Sequence, residues 1–151
     1  MNLSTTNAIY TLSPGVYYLQ GNLSISGQHI TVNATGGVTL VLGGNSAIVT
    51  SNNATINITA PTTGWNAGIA IWEPISTAAN ALAGGNITGV IYMPNASLSY
   101  GNTPLANPPC TQIVAKSVQF DGKSINLKGN CYSPGMPPGM QLFGRAAALV
   151  E

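Results

Sequence analysis

The sequence predicts an all-β fold, a right-handed parallel β-helix of about five or six coils. Three observations point there. Short period-two strand signals fill the chain, turn-forming pairs punctuate them, and a strand motif recurs. The signals run in order through Val16–Leu19, Leu23–Ile25, Ile30–Val32, Val38–Leu42, Ile48–Val49 and Ile56–Ile58. They continue through Ile69–Ile71, Val90–Tyr92, Leu98, Ile113–Val114, Val118–Phe120 and Ile125–Leu127. Gly-Asn, Ser-Gly, Gly-Gly and Asn-Asn pairs lie between them and supply the positive φ that tight corners need. Helical periodicity is confined to Ser76–Ala83 and the Ala-rich end Arg145–Val150.

The recurrence separates a solenoid from a barrel or a sandwich. Gly37-Val-Thr-Leu-Val, Gly68-Ile-Ala-Ile-Trp, Gly89-Val-Ile-Tyr-Met and Gln112-Ile-Val-Ala resemble one another. They start at Val38, Ile69, Val90 and Ile113, and the longer first interval holds an insertion around Pro61 to Trp65. One or two further strand signals follow each copy, the rhythm of a coil with three short strands. A β-sandwich is the alternative. Residues 1–151 are expected to form one domain, with a lead-in or cap over 1–13, coils over 14–131 and a Pro/Gly/Met-rich tail over 132–151.

Composition agrees with a stacked fold. Charged residues make up 5% of the chain, against roughly 25% in an average soluble domain. Like side chains sit above one another in a solenoid, and stacked like charges repel, whereas Asn, Ser and Thr stack without that cost. With 4 Lys plus Arg and 3 Asp plus Glu, the chain has no cationic footprint for nucleic acid. It also has little material for acid–base catalysis. No apolar run approaches the ~20 residues of a membrane span, and no signal-peptide pattern opens the chain. Cys110 and Cys131 read as a disulfide, with two buried free thiols as the alternative. A disulfide would place the domain in the periplasm or outside the cell.

Several strings resemble the C-terminal region of TadG-like pilus-assembly proteins of the bacterial tight-adherence (Flp pilus) system. They are Pro14-Gly-Val-Tyr-Tyr18, Val38-Thr-Leu-Val-Leu42, and Thr59-Ala-Pro-Thr-Thr63 leading into Ala67-Gly-Ile-Ala-Ile71. Gly89-Val-Ile-Tyr-Met-Pro-Asn95, Cys110-Thr-Gln-Ile-Val-Ala-Lys116 and Cys131 follow in the family's order. The resemblance runs from about residue 14 to residue 131. It implies a non-enzymatic, extracytoplasmic structural or interaction domain in pilus assembly and surface adhesion. It further implies a fragment of a longer protein, held at the membrane only through an anchor outside this chain. Other pilus-assembly or envelope proteins are the expected partners, with a polysaccharide or an abiotic surface as further possibilities. The family supplies no catalytic motif and no cofactor.

Glycoside cleavage needs two carboxyls across one bond, and Glu73 and Asp121 are the only internal acids; both read as solvated turn residues. His29 lies in Gly27-Gln-His-Ile30 without a nucleophile or acid partner and reads as a turn histidine. No metal site is expected: the cysteines lack two further ligands, and Met136 and Met140 read as packing residues of the tail. Lys116, Lys123 and Lys128 gather with Asp121 in the last coils as a mild basic patch that protects an edge. Seven Asn-x-Ser/Thr triplets follow from the composition. Trp65, Trp72 and Tyr92 form the candidate binding surface: exposed, they could hold sugar rings or a partner, and otherwise they cover the sheet beneath the inserted loops. A carbohydrate-binding or carbohydrate-cleaving β-helix is therefore the alternative function.

Overall fold

The computed structural model describes residues 1–51, 53–101 and 110–120. They form a β-solenoid of about five turns with no helix. Every strand pairing is parallel. Parallel pairing follows from the repeat: each turn brings the chain back in the same direction about one strand spacing, ~4.8 Å, farther along the axis.

Three faces result. The first stacks β1 (Asn2–Leu3), β4 (Leu23–Ile25), β7 (Ile48–Thr50) and β10 (Asn80–Leu82). It continues through the ends of β11 (Gly85–Tyr100) and β12 (Thr111–Phe120). The second stacks β2 (Ile9–Thr11), β5 (Ile30–Ala34), β8 (Ala54–Thr59) and the start of β11. On the third, β3 (Gly15–Leu19), β6 (Val38–Leu42), β9 (Ile69–Trp72), the middle of β11 and the start of β12 lie in succession.

The repeated motif is the third face. Tyr17 pairs with Leu40, Leu40 with Ile71, Ile71 with Ile91, and Ile91 with Ile113. A bulge at Ala70, between the Val90–Ile69 and Ile91–Ile71 pairs, shifts the register by one residue. The extra residue sets Ile71, and not Ala70, opposite Ile91; in the next turn Ile113 stacks on Ile91, one position beyond Val90. Gly15–Leu19 joins the series as its first member.

Inward side chains are aliphatic and stack on their own kind. Val32 lies over Ile56, and Ala34 is followed by Ile58 and Ile87. Ile25, Ile30, Leu40, Ile71 and Ile91 are fully buried. Removing such side chains from water is the main favourable term in folding. Outward positions on the second face, Ile9 apart, are polar and also stack. Thr11, Asn33, Asn57 and Asn86 share one column. The Asn57 amide donates to Asn33 Oδ1 at 3.0 Å, and the Asn86 amide donates to Asn57 Oδ1 at 3.2 Å. Asn86 Oδ1 ends the ladder without a partner among the described residues.

Two features differ from the sequence expectation. Strand signals of three to five residues become one 16-residue strand in β11, because the chain rounds two corners without leaving the ladder. Gly89 makes the first of these corners and the second falls between Met93 and Ser97, where the register shifts; Gly85 turns the chain into the start of the strand. At Gly85 (φ 141°) a Cβ would lie 2.0 Å from the Ile56 carbonyl oxygen, and at Gly89 (φ 125°) it would lie 2.6 Å from Ala60 Cβ. Ser76–Ala83, where the sequence shows some helical periodicity, instead runs irregularly into β10, with Asn80 bonded to Ile48 N and Glu73. Met1–Ser13, expected as a lead-in, contributes β1 and β2 to the first turn. The tail over 132–151 lies outside the described residues.

Two substitutions test this architecture. Gly85→Ala should destabilise by about 3 kcal/mol or more, through both φ and the clash with a neighbouring backbone. Asn57→Ala removes both rungs of the amide ladder and should cost about 1–3 kcal/mol. Urea denaturation followed by circular dichroism measures both; unchanged midpoints would contradict the described corner and ladder.

Candidate functional site

The outer surface of the third face carries a continuous column of large side chains. Alternation along each strand defines it. In β6, Leu40 and Leu42 are buried and Val41 between them points outward. Trp72 stands outward between the buried Ile71 and Glu73, and Tyr92 between the buried Ile91 and Met93. Tyr18 alternates with Tyr17 and Leu19, and Val114 with Ile113 and Ala115, all four of which pack on the core. Register joins the five: Tyr18 pairs with Val41, Val41 with Trp72, Trp72 with Tyr92, and Tyr92 with Val114. At ~4.8 Å per turn the column is roughly 19 Å long.

Two insertions flank its centre, one at each end of β9. The first, between β8 and β9, folds back on the sheet. Gly68 N donates to Pro61 O at 2.8 Å, and the Asn66 amide donates to Thr39 Oγ1 at 2.7 Å. Thr39 Oγ1 in turn donates to Ile69 O at 2.6 Å. The loop therefore covers the outward Thr39, which is fully buried, and delivers Trp65 to the column. The Trp65 and Trp72 rings lie 5.2 Å apart at 54°, within the separation at which tilted aromatic pairs attract. Trp65 remains 62% exposed, Tyr18 68% and Tyr92 37%.

The second insertion, between β9 and β10, buries the acid expected to be solvated. Glu73 is fully buried. Its backbone N–H donates to Tyr92 O at 2.8 Å, which continues the ladder past Trp72 and turns the side chain inward. Glu73 Oε2 accepts from the Asn80 amide at 2.7 Å, and Asn80 Oδ1 accepts from Ile48 N at 2.8 Å. Ser76 pins the loop by donating to Ser46 O at 3.2 Å. Oε1 has no partner among the described residues. Burial pushes the Glu73 carboxyl above its ordinary 4.5, while the Ser76 and Asn80 side chains pull it the other way. No second acid accompanies it among the described residues. Among the described residues no three of His, Cys, Asp and Glu cluster as a metal site.

The remaining candidates separate. His29 is exposed and left-handed (φ 54°), and its N–H donates to Asn53 O at 3.0 Å. It shapes the corner between the first and second faces. The Cys110 carbonyl accepts from Gly89 N at 2.8 Å, which sets the start of β12; Cys131 lies outside the described residues. Lys116 is exposed on β12, whereas Asp121, Lys123, Lys128, Met136 and Met140 lie outside the described residues. A groove of about 430 Å³ runs beside Pro14, Gly37, Thr59 and Pro61, and no ionisable group lines it. No helix among the described residues is long and apolar enough to cross a membrane.

Trp65, Trp72 and Tyr92 are thus brought together. Tyr18, Val41 and Val114 complete the column and were not singled out from sequence. Their outward alternation was readable, but joining them across turns required the lengths of both insertions and the bulge at Ala70.

The Glu73 environment predicts a pH dependence. A carboxyl with a raised folded pKa binds its proton more tightly in the native state. Its stabilising contribution is complete below 4.5 and is lost as pH rises through the folded value. Wild-type stability should therefore fall as pH rises above 4.5. Glu73→Gln, which keeps the shape and an acceptor for Asn80, should flatten that dependence in urea denaturation series. An unaltered slope would place the carboxylate in solvent.

Comparison of the chain with protein-family models, with curated proteins and with solved structures finds no match.

Proposed function

We propose that the chain is a non-enzymatic, extracytoplasmic structural and interaction domain of a TadG-like protein, acting in Tad pilus assembly and surface attachment. The single observation behind this reading is the outward column Tyr18–Val41–Trp72–Tyr92–Val114 with Trp65 tilted against Trp72 at its centre. Exposed aromatic surface in register costs solubility, and a fold retains it where something docks. The mechanism is presentation: a stiff stack of turns holds the column flat, so little ordering entropy is lost on binding. Glu73, the acid a hydrolytic site would use, is buried against Asn80 and not presented at the surface, which favours the non-enzymatic reading.

The extracytoplasmic placement goes with a Cys110–Cys131 disulfide. Peptide mapping of the secreted protein without reduction should recover one cross-linked pair, and reduction should lower stability by about 3 kcal/mol. Recovery of two free thiols would remove this support.

The functional test is made in cells. Trp72→Ala with Tyr92→Ala should leave the protein at its normal level and abolish surface attachment, scored by adherent-cell counts and by electron microscopy of pili. Full attachment by the double variant would refute the role of the column.

A carbohydrate-binding reading is favoured by one specific feature, the row of Trp65, Trp72 and Tyr92, in which Trp65 and Tyr92 are exposed and Trp72 is half-buried.

A further inference from the structure

We infer that the third-face column is a binding site for a single neutral polysaccharide strand lying along the solenoid axis. This inference rests on the proposal above that the column is the interaction surface, and it names the ligand. Three properties of the column select that chemistry.

The first is its footprint. The column is one side chain wide and roughly 19 Å long, from four turn spacings of ~4.8 Å. A stable protein partner or a second copy of the chain needs about 800 Å² per side. Five residues in single file, with Trp65 beside them, fall short of the about 20–30 residues a side of such an interface. It matches a narrow linear ligand that meets the protein along one line.

The second is its chemistry. Tyr18, Trp65 and Tyr92 present exposed ring surface. The face of a pyranose ring carries several C–H groups, which are apolar and slightly positive. They sit favourably on the electron-rich face of an aromatic ring. Trp65 and Trp72 are tilted 54° to each other, so they offer two differently inclined platforms at the centre. The Tyr18 and Tyr92 hydroxyls supply hydrogen bonds to sugar hydroxyls at either side. Val41 and Val114 keep the strip apolar between and beyond the rings.

The third is its charge. The column's only ionisable side chains are its tyrosines; Glu73, its nearest acid in sequence, faces inward and is fully buried, and Lys116, the only Lys or Arg among the described residues, stands two positions beyond Val114 on β12, off the end of the column. An acidic polysaccharide would find no counter-charge within the strip. The expected ligand is uncharged, and its binding should be insensitive to salt.

The chain contains two tryptophans, Trp65 and Trp72, so intrinsic tryptophan fluorescence reports on this site alone. The intact protein is titrated with cellohexaose, xylohexaose, chitohexaose and maltohexaose, with hexagalacturonate as the charged comparison. At least one neutral hexasaccharide should give a saturable fluorescence change, equal at low and high salt. By calorimetry, Trp65→Ala and Tyr92→Ala should each weaken that binding at least ~10-fold. Ile9→Ala, an exposed apolar change on the second face, should leave it intact.

The inference is overturned if none of the neutral sugars shifts the fluorescence, or if hexagalacturonate alone does. Sedimentation showing a dimer that Tyr92→Ala dissolves would assign the column to a second copy and overturn it equally. Its failure is distinguishable from failure of the parent reading. Attachment lost in the Trp72/Tyr92 variant without any sugar binding keeps the interaction role and rejects the glycan.

Discussion

Vertical register is the constraint on which everything else depends. Each turn lays its residues over those of the turn before, so every side chain meets its counterpart at strand spacing. Inward this rewards shape repetition, as in Leu40, Ile71, Ile91 and Ile113. Outward it forbids repeated charge and permits repeated amides, as in Asn33, Asn57 and Asn86. The chain's 5% of charged residues is the compositional trace of that rule. The same rule builds the aromatic column, because any outward aromatic preserved from turn to turn must line up.

Departures from the repeat are where the molecule becomes specific. Both insertions leave from β9, one before it and one after. The first brings Trp65 onto Trp72 and hides Thr39; the second folds Glu73 and Ser76 against Asn80 and Ser46. The polar cluster inside the turn anchors a loop that lacks strand pairing of its own. Buried polar groups are tolerable there because the Asn80 amide is bonded at both ends. The cost falls on Glu73, which is held in an environment suited to a neutral carboxyl.

The solenoid was legible from alternation, turn pairs and recurrence, since each is a local signal and the fold adds them together. The Asn and Thr columns were legible in kind, because only uncharged polar residues stack. Three things required the third dimension. The bulge at Ala70 has no sequence signature among small residues. The burial of Glu73 depends on a loop closing over it, and a lone acid before Pro74 otherwise reads as solvent-facing. The column could not be assembled without knowing which residue of one turn faces which of the next; Tyr18 and Val41 are far apart in sequence and adjacent only through register. The Trp65–Trp72 pairing was within reach of sequence reasoning, but its partial exposure was not.

The amide ladder has a direction. In both bonds the later turn gives the hydrogen and the earlier turn receives it, so the side-chain dipoles add along one sense of the axis instead of cancelling. The parallel backbone ladder runs along that same axis, perpendicular to the strands. Tension applied along the stack therefore loads one turn's hydrogen bonds at a time, as a zipper does, and not all of them together in shear. A domain built this way would yield by shedding turns in sequence from an end, each lost rung releasing a length of chain. Under such a load the stack behaves as a shock absorber and not as a rigid bolt.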